Sequence, residues 1–162
     1  MPITPLLTIL IPTRSRAAKL DDALASLVRA IEYADCAQRV VVTCVDNYST
    51  DATRSVVERF AATHAFVEYR HQDRECRTDE ESLQNALQYA AGKYVWSFGD
   101  DDQVVETALA ELMPVLDSGR ADFVLLNRVA QVGERVHGYF EAPYPTITYA
   151  QGLDLFRDFG LI

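Results

Sequence analysis

The strongest constraint on the fold is an alternation between two kinds of apolar pattern. The segments "LLTILIP" (6–12) and "RVVVTCVD" (39–46) are almost continuously apolar, which is typical of strands covered on both faces. Between them, residues 17–33 carry apolar side chains at helical spacing. Strands that alternate with helices favour an α/β fold, in which a mostly parallel sheet has helices on both faces.

The same alternation continues over most of the remaining chain. The predicted elements, in order, are a helix over 51–62, a strand over 65–70, a helix from Thr78 to Gly92, a strand over 93–98, a helix over 104–117 and a strand over 121–128. "TDEE" has the spacing of a capping box, and Gly92 is a typical helix end. We expect the strand over 93–98 to bury Val95, Trp96 and Phe98. Beyond residue 129 the sequence predicts a hairpin and a short helix.

The composition bears on the class of function. With a formal net charge of −9, the chain does not favour broad binding to DNA or RNA phosphates. A nucleotide is compatible with this charge, because a metal ion can neutralise a diphosphate locally. Three cysteines without CxxC spacing favour a reducing cytosol over a disulfide framework. No apolar run reaches membrane-spanning length, so we predict a cytoplasmic protein, with peripheral contact at the inner face of the membrane left open.

Three adjacent carboxylates, Asp100, Asp101 and Asp102, follow the strand over 93–98. Like charges at this spacing repel one another, and a divalent cation would remove that penalty. Carboxylate oxygens suit Mg²⁺ or Mn²⁺, which commonly bridge carboxylates to a diphosphate. The alternative is an acidic turn that caps the helix over 104–117, although a cap needs only one aspartate.

Polar residues also follow the second strand, in the segment "VDNYSTDAT" (45–53). Asp46 stands at the strand tip, where a carboxylate can accept a hydrogen bond from a base N–H. Ser49, Thr50 or Asp51 can cap the helix that follows. A helix cap does not account for Asp46, so a nucleotide site is the sharper hypothesis.

The loop "IPTRSR" places Arg14 and Arg16 after the first strand. Arginine at a strand end can pair with phosphate or carboxylate, and ordinary loop solubility is the alternative for either residue alone. In parallel sheets, ligands bind beyond the carboxyl ends of the strands. Because three polar segments follow three such strands, the sequence predicts one cleft that is lined by all of them.

Taken in order, "TILIPTRSR", "VVVTCVDNYSTDAT", a helix that carries Asn85, and "GKYVWSFGDDD" resemble a known family. They are similar to the nucleotide-sugar domain of inverting, family-2-type glycosyltransferases with the GT-A fold, over roughly residues 6–127. The last segment looks most like the abequosyltransferase-like group, which builds bacterial surface polysaccharide. The resemblance implies a Rossmann-like GT-A sheet and transfer of a sugar from a nucleoside-diphosphate sugar to a saccharide or lipid-linked acceptor.

The resemblance also implies roles for individual residues. Asp46 would contact the base and Arg77 would approach the diphosphate. The nucleotide-sugar site would consist of Pro12, Thr13, Arg16, Asp46, Arg77, Asn85, Asp100 and Asp101. Asp102 and Asp100 would hold Mn²⁺ or Mg²⁺. Asp46 is compatible with uracil, thymine and guanine, which all present ring N–H donors, so the nucleobase stays open.

Two features depart from the family pattern. The usual P-T-Y-N-R reads P-T-R-S-R here, so an aromatic residue beside the base is missing at Arg14. We also expect residues 1–129 to form the donor-binding domain and residues 130–162 to form a hairpin and helix extension, truncated before a full acceptor region. A truncated chain would be a fragment or a donor half that needs a partner. The apolar end "FGLI" therefore predicts a homo-oligomer or a partner subunit.

The catalytic base is not identified. Inverting transfer needs a group that deprotonates the acceptor hydroxyl, and surface charge is the more typical role of the acidic residues after position 129. These residues are Glu134, Glu141, Asp154 and Asp158. A catalytically silent binding or scaffold domain is therefore an alternative. A nucleotidyltransferase also uses strand-end aspartates and Mg²⁺, but its Gly-rich, basic signature is absent after "LLTILIP".

Overall fold

The computed structural model describes residues 4–126 and two strands, 129–132 and 135–138. The chain divides into two compact units, Met1–Ser118 and Gly119–Ile162. The described elements are β1 (Leu7–Thr13), α1 (Ala17–Tyr33), β2 (Val40–Asp46), α2 (Thr53–Ala61), β3 (Val67–His71), α3 (Asp79–Ala86), a 3₁₀ turn (Leu87–Tyr89), β4 (Tyr94–Ser97), α4 (Ala108–Ser118), β5 (Val129–Val132) and β6 (Arg135–Gly138). None of the described helices is both long and apolar enough to cross a membrane.

The first unit is built on a four-stranded parallel sheet with the order β3-β2-β1-β4. β1 lies between β2 and β4, so that Ile9 pairs with Val42 on one side and Trp96 on the other. The apolar runs of β1 and β2 are buried almost throughout, as expected for central strands covered on both faces. The predicted α/β class with a parallel sheet is confirmed.

Helices cover both faces of this sheet, because successive side chains of a strand point to opposite faces. On one face, α1 packs beside α2 and α4 and buries Leu20, Leu24 and Ile31. On the other face, Ala86 of α3 packs with Leu10 of β1 and a residue of β2. Because all four strands run parallel, their carboxyl ends lie at the same edge of the sheet.

The end of α3 differs from the prediction. The helix stops at Ala86 rather than near Gly92, because the chain tightens into the 3₁₀ turn and returns to β1. There the hydroxyl oxygen of Thr8 accepts hydrogen bonds from the N–H groups of Ala91 and Gly92, at 3.1 and 2.8 Å. A Cβ atom at Gly92 would lie 2.8 Å from the backbone nitrogen of Thr8. Close approach to β1, and not a helix end, therefore explains this glycine.

Three further predictions are corrected. Val95 is 42% exposed, because β4 is the edge strand of the sheet, whereas Phe98 is buried as predicted. The helix expected over 104–117 begins later, at Ala108, since the N–H of Val104 donates to the Ser26 hydroxyl and the chain there is not helical. The strand expected over 121–128 is not formed at 121–126, and its last two residues lie outside the described part.

The hairpin expected beyond residue 129 is confirmed by the antiparallel pair β5 and β6 in the second unit. The short helix predicted near the C-terminus and the segment "FGLI" lie outside the described residues.

Candidate functional site

A cleft of about 440 Å³ lies at the carboxyl ends of β1 and β4, beside the start of α3. We call it the strand-end cleft. Seven residues that the sequence analysis singled out line it: Pro12, Thr13, Arg14, Arg16, Arg77, Asp100 and Asp101. The predicted metal ligand Asp102 is not among the lining residues. The cleft brings together the loops after β1, β2 and β4, the three segments that the sequence analysis expected, with Asn47 as the contribution of the loop after β2. It adds the loop between β3 and α3.

The loops after β1 and β2 are joined by reciprocal hydrogen bonds. The N–H of Ser15 donates to the Ser49 hydroxyl at 2.8 Å, and the N–H of Thr50 donates to the Ser15 hydroxyl at 3.3 Å. Ser15 and Tyr48 both have positive φ angles, 51° and 58°, a conformation that costs energy in non-glycine residues. These hydrogen bonds between the loops fix the two tight turns beside the cleft.

Asp51 caps two helices at once. Its carboxylate accepts hydrogen bonds from the N–H of Ala17 at the start of α1 and from the N–H of Thr53 at the start of α2, both at 3.0 Å. Desolvation raises the pKa of Asp51, but these bonds and one from the Thr53 hydroxyl outweigh it and lower the pKa below its usual value. Asp51 thus acts as the predicted cap of α2 from one residue before the N-cap position, which is Ala52. The same carboxylate also occupies the N-terminus of α1.

The three adjacent aspartates have different surroundings. Asp100 is 6% exposed and accepts hydrogen bonds from the Thr13 hydroxyl at 2.8 Å and from the Arg16 guanidinium at 2.9 Å. Asp101 faces the same guanidinium at 3.3 Å and the Lys19 amine at 3.2 Å. The charge of Asp100, followed by its hydrogen bond, raises the pKa of Arg16. Protein cations therefore already neutralise Asp100 and Asp101.

Asp102 is exposed, and its carboxylate has no hydrogen bond or ion pair within residues 4–126. It folds back over Gly99, where an added Cβ atom would lie 2.6 Å from Oδ2 of Asp102. The alternative that the aspartates cap the following helix is wrong, because α4 begins only at Ala108.

The donor chemistry at Asp102 fits a hard divalent cation, which prefers carboxylate oxygen. No group of three or more His, Cys, Asp or Glu side chains converges as a metal site in the described part of the chain. A cation at Asp102 would need oxygen ligands beyond those that the described side chains bring together, and a diphosphate can supply such oxygens. Asp100 fits this role less well than predicted, because Thr13 and Arg16 already engage both of its oxygens.

Asp46 and Asn85 do not line the strand-end cleft. Asp46 is 2% exposed, and its carboxylate accepts hydrogen bonds from the N–H of Ser49 at 2.9 Å and the Tyr69 hydroxyl at 2.7 Å. Desolvation, followed by the bond to Asp46, raises the pKa of Tyr69. Asn85 accepts a hydrogen bond from Gln88 on its own helical segment. A base contact from Asp46 would therefore require a third hydrogen bond to a buried carboxylate.

Asn47 and Cys76 line the cleft and were not predicted from the sequence. The Asn47 side-chain amide makes two hydrogen bonds with the backbone of Cys76, and the Arg14 guanidinium donates to the same Cys76 carbonyl. Arg14 also forms an ion pair with Glu75. The only sequence signal was the position of Asn47 directly after Asp46, because its partner lies 29 residues away.

Arg77 follows Cys76 and has an exposed side chain at the cleft. Within the described residues its guanidinium has no ion-pair partner, in contrast to Arg14 and Arg16. Asp79, in the first turn of α3, also lines the cleft and was not predicted. The cleft thus carries charges of both signs, and the guanidinium of Arg77 remains available to an anionic ligand.

Comparison with known sequences gives a consistent result. The model of the family described as Glycosyl transferase family 2 matches residues 8–156. Abequosyltransferase RfbV of Salmonella typhimurium is 30% identical over 125 residues, which are 76% of this chain and 36% of that protein. The GalNAc(5)-diNAcBac-PP-undecaprenol beta-1,3-glucosyltransferase of Campylobacter jejuni is 27% identical over 117 residues, 72% of this chain and 36% of that protein. The chain thus spans about a third of the length of these curated relatives.

Solved structures with a similar fold include S. aureus TarS residues 1-349 in complex with UDP-GlcNAc. It has a TM-score of 0.61 and 21% identity, over 69% of this chain and 31% of that one. The mannosyltransferase PcManGT from Pyrobaculum calidifontis, in complex with GDP-Man and Mn²⁺, has a TM-score of 0.57 and 27% identity, over 68% of this chain and 32% of that one. The GT-A fold expected from the sequence is confirmed.

Proposed function

This chain belongs to glycosyl transferase family 2, and we propose that residues 1–129 form the donor-binding domain of a metal-dependent, inverting glycosyltransferase. The ligand would be a nucleoside-diphosphate sugar in the strand-end cleft. One observation carries the proposal: Arg77 and Asp102 lie at the same end of the sheet, and neither charge is paired within residues 4–126.

These two groups complement the two parts of a metal diphosphate. The Arg77 guanidinium presents several N–H donors that match phosphate oxygens. Asp102 would hold Mn²⁺ or Mg²⁺, and the cation would supply stabilisation of the charge on the departing diphosphate. The ion pairs of Arg16 with Asp100 and Asp101 keep the remaining charges of the cleft balanced before a donor binds.

We propose that the donor is positioned by Thr13, Arg16 and Asp100, and that none of these side chains takes part in proton transfer. Their hydrogen bonds join the loop after β1 to the loop after β4, so the two walls of the cleft keep a fixed spacing. Preformed geometry of this kind lowers the entropy that a ligand loses on binding.

Transfer to an acceptor is proposed for the complete enzyme. The named relatives include an abequosyltransferase and an undecaprenol-linked glucosyltransferase, which supports a saccharide or lipid-linked acceptor and a role in surface polysaccharide synthesis. We propose that the protein acts in the cytoplasm, where it would meet such an acceptor at the inner face of the membrane. The acceptor region and the base would lie outside the donor domain, in residues beyond 129 or in a partner subunit.

Titration calorimetry tests the donor site directly. UDP, dTDP, GDP and CDP are titrated into the folded chain, each with Mn²⁺ and with EDTA, and we expect one of them to bind in a metal-dependent manner. Asp102→Asn should weaken that binding by at least about tenfold without changing the unfolding midpoint. Asp22→Asn, at an exposed aspartate of α1 outside the cleft, is the matched control. Absence of binding by every nucleotide to a folded sample would reject the proposal.

A further inference from the structure

We propose that Asn47 is a positioning residue that fixes the loop presenting Arg77 to the donor diphosphate. The inference rests on the proposed function, since it requires a diphosphate in the strand-end cleft. Asn47 lies within the segment "VDNYSTDAT", but neither the sequence pattern nor the family resemblance gave it a role.

The bond between Asn47 and the loop is a two-point contact. The side-chain Nδ2–H donates to the carbonyl oxygen of Cys76 at 2.9 Å, and Oδ1 accepts from the N–H of Cys76 at 2.8 Å. Asn47 is 5% exposed and Cys76 is 1% exposed, so water does not compete for these groups. Two bonds to one residue fix the orientation of its peptide groups as well as their distance.

The Cys76 carbonyl and the Arg77 N–H belong to the same peptide group, which is held on both sides. Arg14 adds a second donor to the carbonyl at 3.3 Å, and the N–H of Arg77 donates to the Glu81 carboxylate at 2.9 Å. Because a peptide group is planar, these contacts determine where the Arg77 side chain leaves the backbone. The guanidinium stays free while its attachment point is fixed.

Only a side-chain amide can both donate to the Cys76 carbonyl and accept from the Cys76 N–H. Alanine offers no hydrogen bond, and aspartate would bring a carboxylate oxygen against the Cys76 carbonyl, two acceptors with no proton between them. Arg14 does not replace Asn47, because it is half exposed and its bond to the carbonyl is longer. Without the Asn47 amide, the Arg77 peptide group should move freely in the unbound protein. Diphosphate binding would then have to order Arg77, and this loss of conformational freedom lowers the affinity.

A double-mutant cycle tests this coupling. Wild type, Asn47→Ala, Arg77→Ala and the double variant are titrated with the nucleoside diphosphate that the wild type binds, in the presence of Mn²⁺. We expect Asn47→Ala to weaken binding roughly fivefold to tenfold and to cause no further loss in the Arg77→Ala background. A purely structural defect would weaken binding equally in both backgrounds.

Two further variants serve as a control and as a second test of Asn47. Thr8→Val removes a buried hydroxyl that also accepts two backbone hydrogen bonds from a loop, at the opposite end of the sheet, and it should leave the affinity unchanged. Asn47→Asp is nearly isosteric and keeps the acceptor for the Cys76 N–H, so it serves if Asn47→Ala does not fold, and it should reproduce the loss.

The outcomes are distinguishable. If the wild type binds and either Asn47 variant binds equally well, or loses the same factor with and without Arg77, the inference is wrong while the donor site stands. If the folded wild type binds no nucleoside diphosphate, the proposed function fails and the inference fails with it.

Discussion

The two ends of the parallel sheet use the same kind of contact to different effect. At the amino end, the Thr8 hydroxyl holds the backbone of Ala91 and Gly92, and Arg39 pairs with Asp117. At the carboxyl end, the Asn47 amide holds the backbone of Cys76. Both ends thus fasten a loop to the sheet by a buried side chain with two hydrogen bonds.

The ends differ in the charges that they leave available. At the amino end, Arg39 is paired and the Lys93 amine lies over the ring of Tyr94. At the carboxyl end, Arg77 lines the strand-end cleft and Asp102 directly follows the lining residue Asp101. Neither side chain has an ion pair among residues 4–126. Hydrogen bonds that hold a loop to the sheet occur at both ends and are therefore a property of the fold. Unpaired charges beside such a loop indicate a ligand-binding site.

The largest difference between the two ends is expected for Asp100→Ala. The change leaves the buried Thr13 hydroxyl and the Arg16 guanidinium without their shared acceptor. We expect nucleoside diphosphate affinity to fall roughly a hundredfold and the free energy of unfolding to fall by about 2 kcal/mol. Calorimetry and urea denaturation measure the two effects. Asp117→Ala, which breaks an exposed ion pair at the amino end, should change neither, and equal losses in both variants would contradict the comparison.

Gly92→Ala should lower stability without affecting the ligand. Its Cβ atom would lie 2.8 Å from Thr8 N and 2.9 Å from the carbonyl carbon of Leu7, and backbone atoms cannot move aside without disturbing β1. A loss of about 2 kcal/mol in the free energy of unfolding is expected, measured by urea denaturation. We expect the nucleotide affinity of the variant to stay unchanged. A variant as stable as the wild type would contradict the close approach of Gly92 to β1.

Gly99→Ala should show the opposite behaviour. Its Cβ atom would lie 2.6 Å from the end of the Asp102 side chain, which can rotate away. We expect the unfolding midpoint to change little and the Mn²⁺-dependent affinity to fall roughly tenfold, because the Asp102 carboxylate is displaced. Titration with Mn²⁺ and with EDTA separates the metal-dependent part. A variant that retains the full Mn²⁺ effect would show that the position of Asp102 is not critical.

The smallest effect is expected for Asp51→Ala, which removes a cap from α1 and α2. A loss of about 1 kcal/mol is typical for such a cap and lowers the unfolding midpoint by roughly 3 °C. Because the pKa of Asp51 is lowered in the folded state, its contribution is complete above the usual pKa and is lost as the pH falls through the lowered value. In thermal unfolding, the difference in midpoint between Asp51→Ala and the wild type should therefore be smaller at pH 2.5 than at pH 7.

The elements with strong local patterns were predictable from the sequence. The helical spacing over residues 17–33 gives the bounds of α1, and the apolar runs give β1 and β2, because central strands are buried on both faces regardless of their neighbours. The exposure of Val95 was not predictable, since it depends on β4 lying at the edge of the sheet.

The candidate site was predictable only in part, for a similar reason. Clustered aspartates and arginines after strands indicate a cleft, because parallel strands bring their carboxyl ends together. The Asp100 carboxylate is engaged and the Asp102 carboxylate is not, because Thr13 and Arg16, which lie more than 80 residues away in sequence, reach Asp100 and not Asp102. The burial of Asp46 against Tyr69 is likewise a tertiary contact. Local sequence identifies the groups, and only the packing determines which of them remain available.

Paramagnetic broadening of amide NMR signals tests the central claim most directly. Trace Mn²⁺ is added to the chain with the nucleoside diphosphate that it binds, with Mg²⁺ as the diamagnetic reference. The signals of Gly99 to Asp102 and of Arg77 should broaden first, those of Thr8 and Gly92 last, and omission of the nucleotide or Asp102→Asn should suppress the effect. Broadening that is strongest at the amino end, or that is unchanged without nucleotide, would contradict a metal diphosphate site at the carboxyl end of the sheet.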